Sequence, residues 1–324
     1  MGAVMRMHKV VVAETLLGDF TLKFLEIKGK KDGPTLGIVS GIHGHELSSI
    51  GGLIEFWEEF IAVKHRNIAG RVIILPFANP LGLMLMEREV EENDPNRSFP
   101  GNPKGALADR MAYSILSFFK KEKVDLVIDI HTMNPLSVPH IIIDQNCVYF
   151  PEIKSKTLSL ADMFGIGVVI DFPYFEYKKE KLDSSLTAQM IEHGIPSFTV
   201  EVPGENYSPS CGEKIVSSGL WNMVRGLGII KDRKPDWRHF SKETLGTDSF
   251  SYFLGPVAEH AGFLKRLVEP GEKVLTGQIL GEIRDSSCAV TEQIKALRQG
   301  YIADIINASI ISAGERPFTF FVQN

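Results

Sequence analysis

Apolar positions in the first two-thirds of the chain follow two alternating rhythms. Phe20 to Lys28 alternates apolar with polar residues, which predicts a strand. Gly29 to Pro34, reading GKKDGP, predicts a turn, and Thr35 to Ser40 is a short apolar run that fits a buried strand. Beyond it, Leu47, Ile50, Leu53, Ile54, Trp57 and Ile61 fall on one side of a helix running to about Lys64. Arg71 to Pro76 is the next apolar run. A helix from about Leu107 to Lys121 leads into Val124 to His131, a central strand. Gly167 to Ile170 and Ser197 to Val200 predict further strands. Strands alternating with helices predict an α/β domain with a mostly parallel sheet and helices on both faces.

The rhythm changes after about Pro235. Short strand-like runs follow, broken by Gly255, Gly262, Gly271, Gly277, Gly281, Gly300 and Gly314. Recurrent turns with little helical periodicity predict a small all-β module. The charged, proline-bearing Lys231 to Trp237 is the natural boundary. The expected division is a catalytic α/β domain over 1–235 and a β domain over 236–324.

Composition narrows the function classes. The 324 residues carry a formal net charge of −5, with 44% hydrophobic and 23% charged residues, as in ordinary globular proteins. The acidic balance argues against nucleic-acid binding. Cys147, Cys211 and Cys288 are too scattered for a disulfide framework, and no C-x-x-C is present, so a reducing cytoplasm is the expected compartment. No secretory h-region opens the chain, and no apolar stretch is long enough to span a membrane. The sequence leaves a homo-oligomer open.

Four polar features interrupt this pattern. His43 and Glu46 are three apart, where a strand gives way to a helix, so they can share a face. Imidazole plus carboxylate there is half of a zinc site, or a surface coincidence. His131 ends a central strand, the place where open α/β sheets bind ligands. Asp129, two residues earlier, shares its face and suits a hydrogen bond to a metal-bound histidine, or a purely structural pair. Asn93 to Gly101 is a loop holding Arg97, whose fork fits a carboxylate. Glu201 ends an apolar strand before a Pro203-Gly204 turn, a natural position for a general base or simply a strand end.

In combination the features resemble the zinc carboxypeptidase superfamily, and within it the branch containing aspartoacylase and succinylglutamate desuccinylase. That branch pairs H-G-x-E with D-L-N-R-x-F-P-G, then D-x-H, then a late Glu. The matching residues are His43-Gly44-His45-Glu46, Asp94 to Gly101, Asp129-Ile130-His131 and Glu201, with Asn79-Pro80-Leu81-Gly82 matching the N-P-x-G that precedes the loop. The resemblance implies one zinc ion per chain on His43, Glu46 and His131. It implies Glu201 as general base, Arg88 as oxyanion donor, and Asn96 and Arg97 as holders of a substrate carboxylate. The expected activity is hydrolysis of the amide of a small N-acylated amino acid or related amine. A zinc carboxypeptidase or amidase, and a non-catalytic binding protein on the same fold, are the alternatives.

The C-terminal pattern Gly262-Phe263-Leu264, Pro270 to Val274 and Gly277 to Gly281 resembles the barrel-sandwich of biotinyl/lipoyl domains. The turn where a carrier would place its lysine reads Asp285-Ser286-Ser287-Cys288. The module is therefore expected to be structural, or a lid. His45 stands where the family carries Asn or Asp, and is left outside the metal shell; Pro95 replaces the usual Leu. Gln189 to Pro196 lacks the arginine expected for acidic amino-acid substrates. The segment before the loop is rich in glutamate: Glu87, Glu89, Glu91 and Glu92. Both departures leave room for a neutral or cationic amine.

Overall fold

The structure is a computed structural model that describes residues 3–16, 18–63, 67–204, 210–231 and 236–324. Glu205, the nearest acidic neighbour of the Glu201 turn, and boundary residues 232–235 lie outside these, as does Lys64 at the expected helix end.

In chain order the elements are β1 (Val4–Thr15), β2 (Gly18–Lys28), β3 (Lys31–Ser40), α1 (Leu47–Ala62), β4 (Ala69–Leu75), α2 (Pro80–Leu85), α3 (Leu107–Glu122), β5 (Leu126–Met133) and β6 (His140–Ile143). They continue as α4 (Pro151–Asp162), β7 (Gly167–Ile170), α5 (Tyr174–Lys179), α6 (Leu186–Glu192), β8 (Ser197–Pro203), α7 (Ser210–Gly226) and α8 (Phe240–Leu245). The remainder is β9 (Thr247–Leu254), β10 (Gly262–Arg266), β11 (Lys273–Val274), β12 (Ile279–Arg284), β13 (Val290–Lys295), β14 (Gly300–Ile305), β15 (Ile310–Ile311) and β16 (Phe318–Gln323).

The centre of the main sheet is parallel, in the order β4-β3-β5-β8. Its strands are continuous apolar runs because both faces are covered, and Leu36, Ile38, Ile74, Ile128 and Val200 are fully or almost fully buried. One face packs against α1 and α7 through Leu53, Phe56, Phe60, Val216 and Leu220. On the other side Phe119 of α3 and Leu186 and Met190 of α6 join Val39 and Val127. One expected turn shortened, and one strand pair was not expected. The GKKDGP turn shrinks to its first residues, because β3 starts at Lys31, where Lys31 pairs with Ala69. The long antiparallel pair of β1 with β2 was not legible, because much of β1 is exposed and shows no clean alternation.

The C-terminal residues are β-rich, and no helix lies within 255–320. Their arrangement differs from a self-contained barrel-sandwich. β9 runs parallel to β7, and β16, β14 and β11 continue the same sheet, to twelve strands among the described residues. The exposed edge left by β7 is paired in this way rather than open. Only β13-β12-β10-β15 form a separate sheet. It faces β14 and β16 of the main sheet across a shared core of Leu264, Leu280, Ile283, Ile302, Phe318 and Phe320.

Candidate metal centre and cavity

β3 ends at Ser40, and the chain turns through Gly41 to Glu46 before α1 begins. Glu46 occupies the N-cap position, yet its carboxylate does not cap the helix. It turns instead to two imidazoles: Oε1 lies 2.6 Å from Nδ1 of His43 and Oε2 lies 2.8 Å from Nδ1 of His131. The Thr132 backbone N–H donates to the same Oε2 at 3.0 Å. Ligand atoms of His43, Glu46 and His131 fall within 4.8 Å of one another, and all three residues are buried. Burial pushes Glu46 up, but the charges and hydrogen bonds of His43 and His131 hold it well below the usual carboxylate range. Burial pushes His131 down, while Asp129 and Glu46 raise it well above the usual imidazole range.

This turn depends on two backbones touching. A Cβ on Gly44 would sit 1.9 Å from the carbonyl carbon of Gly82, and a Cβ on Gly82 would sit 2.3 Å from Nδ2 of Asn79. Asn79 caps α2 by accepting from the Gly82 N–H at 2.8 Å. The N-P-L-G segment therefore shapes the bed on which the H-G-H-E turn lies.

Asp129 sits behind His131, with Oδ2 2.9 Å from its Nε2. Arg88 reaches the cluster from outside. Its Nη1 lies 3.3 Å from Nδ1 of His43 and 3.8 Å from Oε1 of Glu46, while Nε and Nη2 donate to Oδ2 of Asp94. Asp94 also lies 3.1 Å from Nε2 of His43 and accepts the Asn96 N–H at 2.7 Å. Burial would raise its carboxyl, but the bond to His43 and the charges of His43, Arg88 and Arg97 hold it below the usual range. Both ends of the Asn96 amide are engaged: Oδ1 accepts the Leu186 N–H, and Nδ2 lies 3.1 Å from Nε2 of His131. Arg97 donates from Nε to the Glu180 carbonyl and from Nη1 to the Asn96 carbonyl. His45 lies outside the cluster of three, its ring centroid 6.2 Å from that of His43.

Glu201 pairs with His131 in the parallel register of β5 and β8. Its Oε2 is buried without a hydrogen-bond partner. Burial lifts its pKa to about 8; His131 and Arg88 pull it down, whereas Glu46 and Asp129 push it further up. A cavity of about 240 Å³ opens here. His43, Glu46, His131, Arg88, Asn96, Arg97 and Glu201 all line it. From the C-terminal region Tyr252 and Thr319 line it too.

Two acidic lining residues escaped the sequence reading. Asp144 follows β6 and Asp171 follows β7. Each ends an apolar run, HIII before Asp144 and GVVI before Asp171, the same signal that marked His131 and Glu201. Glu87, Glu89, Glu91 and Glu92, by contrast, are exposed and line no part of the cavity.

The donor set of two imidazoles and one carboxylate, with the cavity against it, suits zinc and leaves room for an open position. No helix among the described residues is long and apolar enough to cross a membrane.

Residues 32–216 match the family model of the succinylglutamate desuccinylase/aspartoacylase catalytic domain. The chain is 26% identical over 288 residues to the N-alpha-acetyl-L-2,4-diaminobutyric acid deacetylase of Halomonas elongata, covering 84% of this chain and 77% of that protein. Its fold is similar to a succinylglutamatedesuccinylase/aspartoacylase from Rhodobacter sphaeroides, with a TM-score of 0.79 and 21% identity over 100% of this chain and 96% of the other. It is also similar to the product-bound Ectoine utilization protein EutE (DoeB) from Ruegeria pomeroyi, with a TM-score of 0.79 and 18% identity over 99% and 95%.

Proposed function

The chain belongs to the succinylglutamate desuccinylase/aspartoacylase family, and from that premise we propose that it is a zinc-dependent deacylase hydrolysing the amide of a small N-acylated amino acid or related amine. One observation carries the reading: His43, Glu46 and His131 converge beside Glu201 in one cavity. The names of its relatives, a deacetylase and desuccinylases, point to the same bond type.

His43, Glu46 and His131 would hold the metal ion. When bound, zinc supplies Lewis acidity, polarising a carbonyl and making water more acidic. Asp129 fixes the ring orientation of His131 from behind. Glu201, whose Oε2 has no hydrogen-bond partner among the described residues, takes the proton of the attacking water and passes it to the leaving amine. Arg88, held by Asp94 at the edge of the cluster, stabilises the negative charge that develops on the carbonyl oxygen. Arg97 takes the substrate carboxylate, with Asn96 bracing His131 and the start of α6. The division at 235/236 belongs to the same reading, with the C-terminal strands closing one side of the cavity through Tyr252 and Thr319.

Metal content of the purified protein, followed by amine release from a panel of N-acyl amino acids with and without chelator, tests the proposal. One zinc per chain and chelator-sensitive release are expected. Release of amino acids from peptides but not from N-acyl compounds would favour a peptidase instead.

A further inference from the structure

The cavity is polar at both ends: one mixes carboxylates with imidazoles and Arg88, and the other carries two aspartates. Asp144 and Asp171 stand side by side at the ends of β6 and β7. The parallel register that pairs Ile143 with Ile170 makes them the next residues in line, and the Asp171 N–H donates to the Ile143 carbonyl at 3.0 Å. Both are more than nine-tenths buried, at 3% and 7% exposure. Asp144 is partly engaged, its Oδ1 accepting from the Tyr177 hydroxyl at 2.7 Å and the Asn146 N–H at 2.8 Å. Asp171 makes one side-chain bond, Oδ1 accepting the Phe172 N–H at 2.7 Å. Among the described residues its Oδ2 makes no hydrogen bond, although the residue lines the cavity.

Neither carboxyl has a cation in contact. Burial lifts Asp144 to about 7, and the neighbouring Asp171 and Glu192 add to it. Burial lifts Asp171 to about 6, with the Phe172 N–H and the more distant Arg97 pulling the other way. Two buried acids with no counter-charge nearer than Arg97 are costly to the fold unless something arrives to neutralise them. Their position suits a group on the substrate. Thr199 and Ile142, paired across β8 and β6, line the cavity between Glu201 and the acids. Asp144 lies four residues along from His140, the strand partner of Glu201. That separation is roughly 13 Å at backbone level, room for an amine on a flexible chain.

We propose that Asp171, assisted by Asp144, is a cation subsite that selects substrates bearing a free ammonium group remote from the scissile amide. The proposal rests on the deacylase reading of the same cavity and gives it a substrate class: an N-acylated diamino acid, with Arg97 on the carboxylate and Asp171 on the second amine. Glutamates before the loop play no part in it.

The experiment separates the two readings. Binding of ornithine and its neutral isostere norleucine to the metal-loaded protein is measured by calorimetry, in the wild type, Asp171→Asn and Asp144→Asn. Ornithine is expected to bind about tenfold tighter or more, the scale of one charge-assisted hydrogen bond in a buried site. Asp171→Asn is expected to bring the two within about threefold. Should that variant fail to fold, Asp171→Ser replaces it. Equal binding of the pair by the wild type overturns the proposal, as does a preference that survives at both aspartates. Amine release is then compared for Nα-acetylornithine and Nα-acetylnorleucine. If neither is turned over while the ornithine preference stands, the deacylase reading falls and the cation subsite remains.

Discussion

At one end of the cavity the charges meet their opposites, Glu201 excepted, and at the other two like charges meet each other. Around His43, Glu46 and His131, carboxylates alternate with imidazoles and Arg88, and Glu46 and Asp94 are held low. At the ends of β6 and β7, Asp144 and Asp171 have only neutral donors, and both are pushed up. Residue type and burial are similar at the two ends. The direction of the shift is set by what each strand end faces. On the proposed reading the compensated end holds a metal ion, and the uncompensated end takes a cation on the ligand.

The largest expected effect comes from breaking the compensated end. His131→Ala removes a ligand and leaves Glu46 and Asp129 facing each other's charge, so bound metal and turnover should both disappear in metal analysis and in amine release. Retention of one metal ion per chain would show that the three residues are not the ligand set. Next in size is Glu201→Gln, which keeps shape and removes basicity. A loss of kcat of about 10²–10⁴-fold is expected, with metal content unchanged. Near-normal kcat would remove the general-base role, and loss of metal would make Glu201 a ligand. Arg88→Ala follows, with an expected fall in kcat of roughly 10²–10³-fold and a smaller change in KM. A change confined to KM would make Arg88 a binding residue.

The smallest effect concerns stability at the uncompensated end. A carboxyl whose folded pKa lies above its unfolded value binds more protons when folded. Its penalty is absent below the unfolded pKa and grows as pH rises toward the folded one. For Asp171 that window runs from the ordinary aspartate value of 3.8 to about 6. Asp171→Asn should therefore gain stability relative to wild type as pH rises through this window, by on the order of 2 kcal/mol. Thermal melts across pH 4 to 7 measure it. A constant difference between the two proteins would show that Asp171 is compensated after all.

Much of the compensated end was legible because its residues cluster in short motifs at strand ends. The spacing of His43 and Glu46, the alternation of Asp129 with His131, and the apolar run before Glu201 each carry local information. The uncompensated end carries the same local signal, but β6 is short and pairs antiparallel with β8 before running parallel to β7. Nothing local in HIIID or GVVID says that their aspartates end up adjacent and in the same cavity as Glu201.

By itself the sequence determined the alternation of strands and helices, the β-rich C-terminal third, and the set of residues able to bind a metal, since these follow from periodicity and from chemistry at near neighbours. Tertiary structure alone decided that β9, β16, β14 and β11 extend the main sheet, that Asn96 braces His131, and that Tyr252 joins the cavity from far along the chain. It also decided which acids line the cavity: the conspicuous glutamate run is exposed, and two unremarked aspartates are buried against the cavity. The reason is physical. Burial and counter-charge depend on strand register and sheet order, which are fixed by long-range pairing and not by any residue's immediate neighbours.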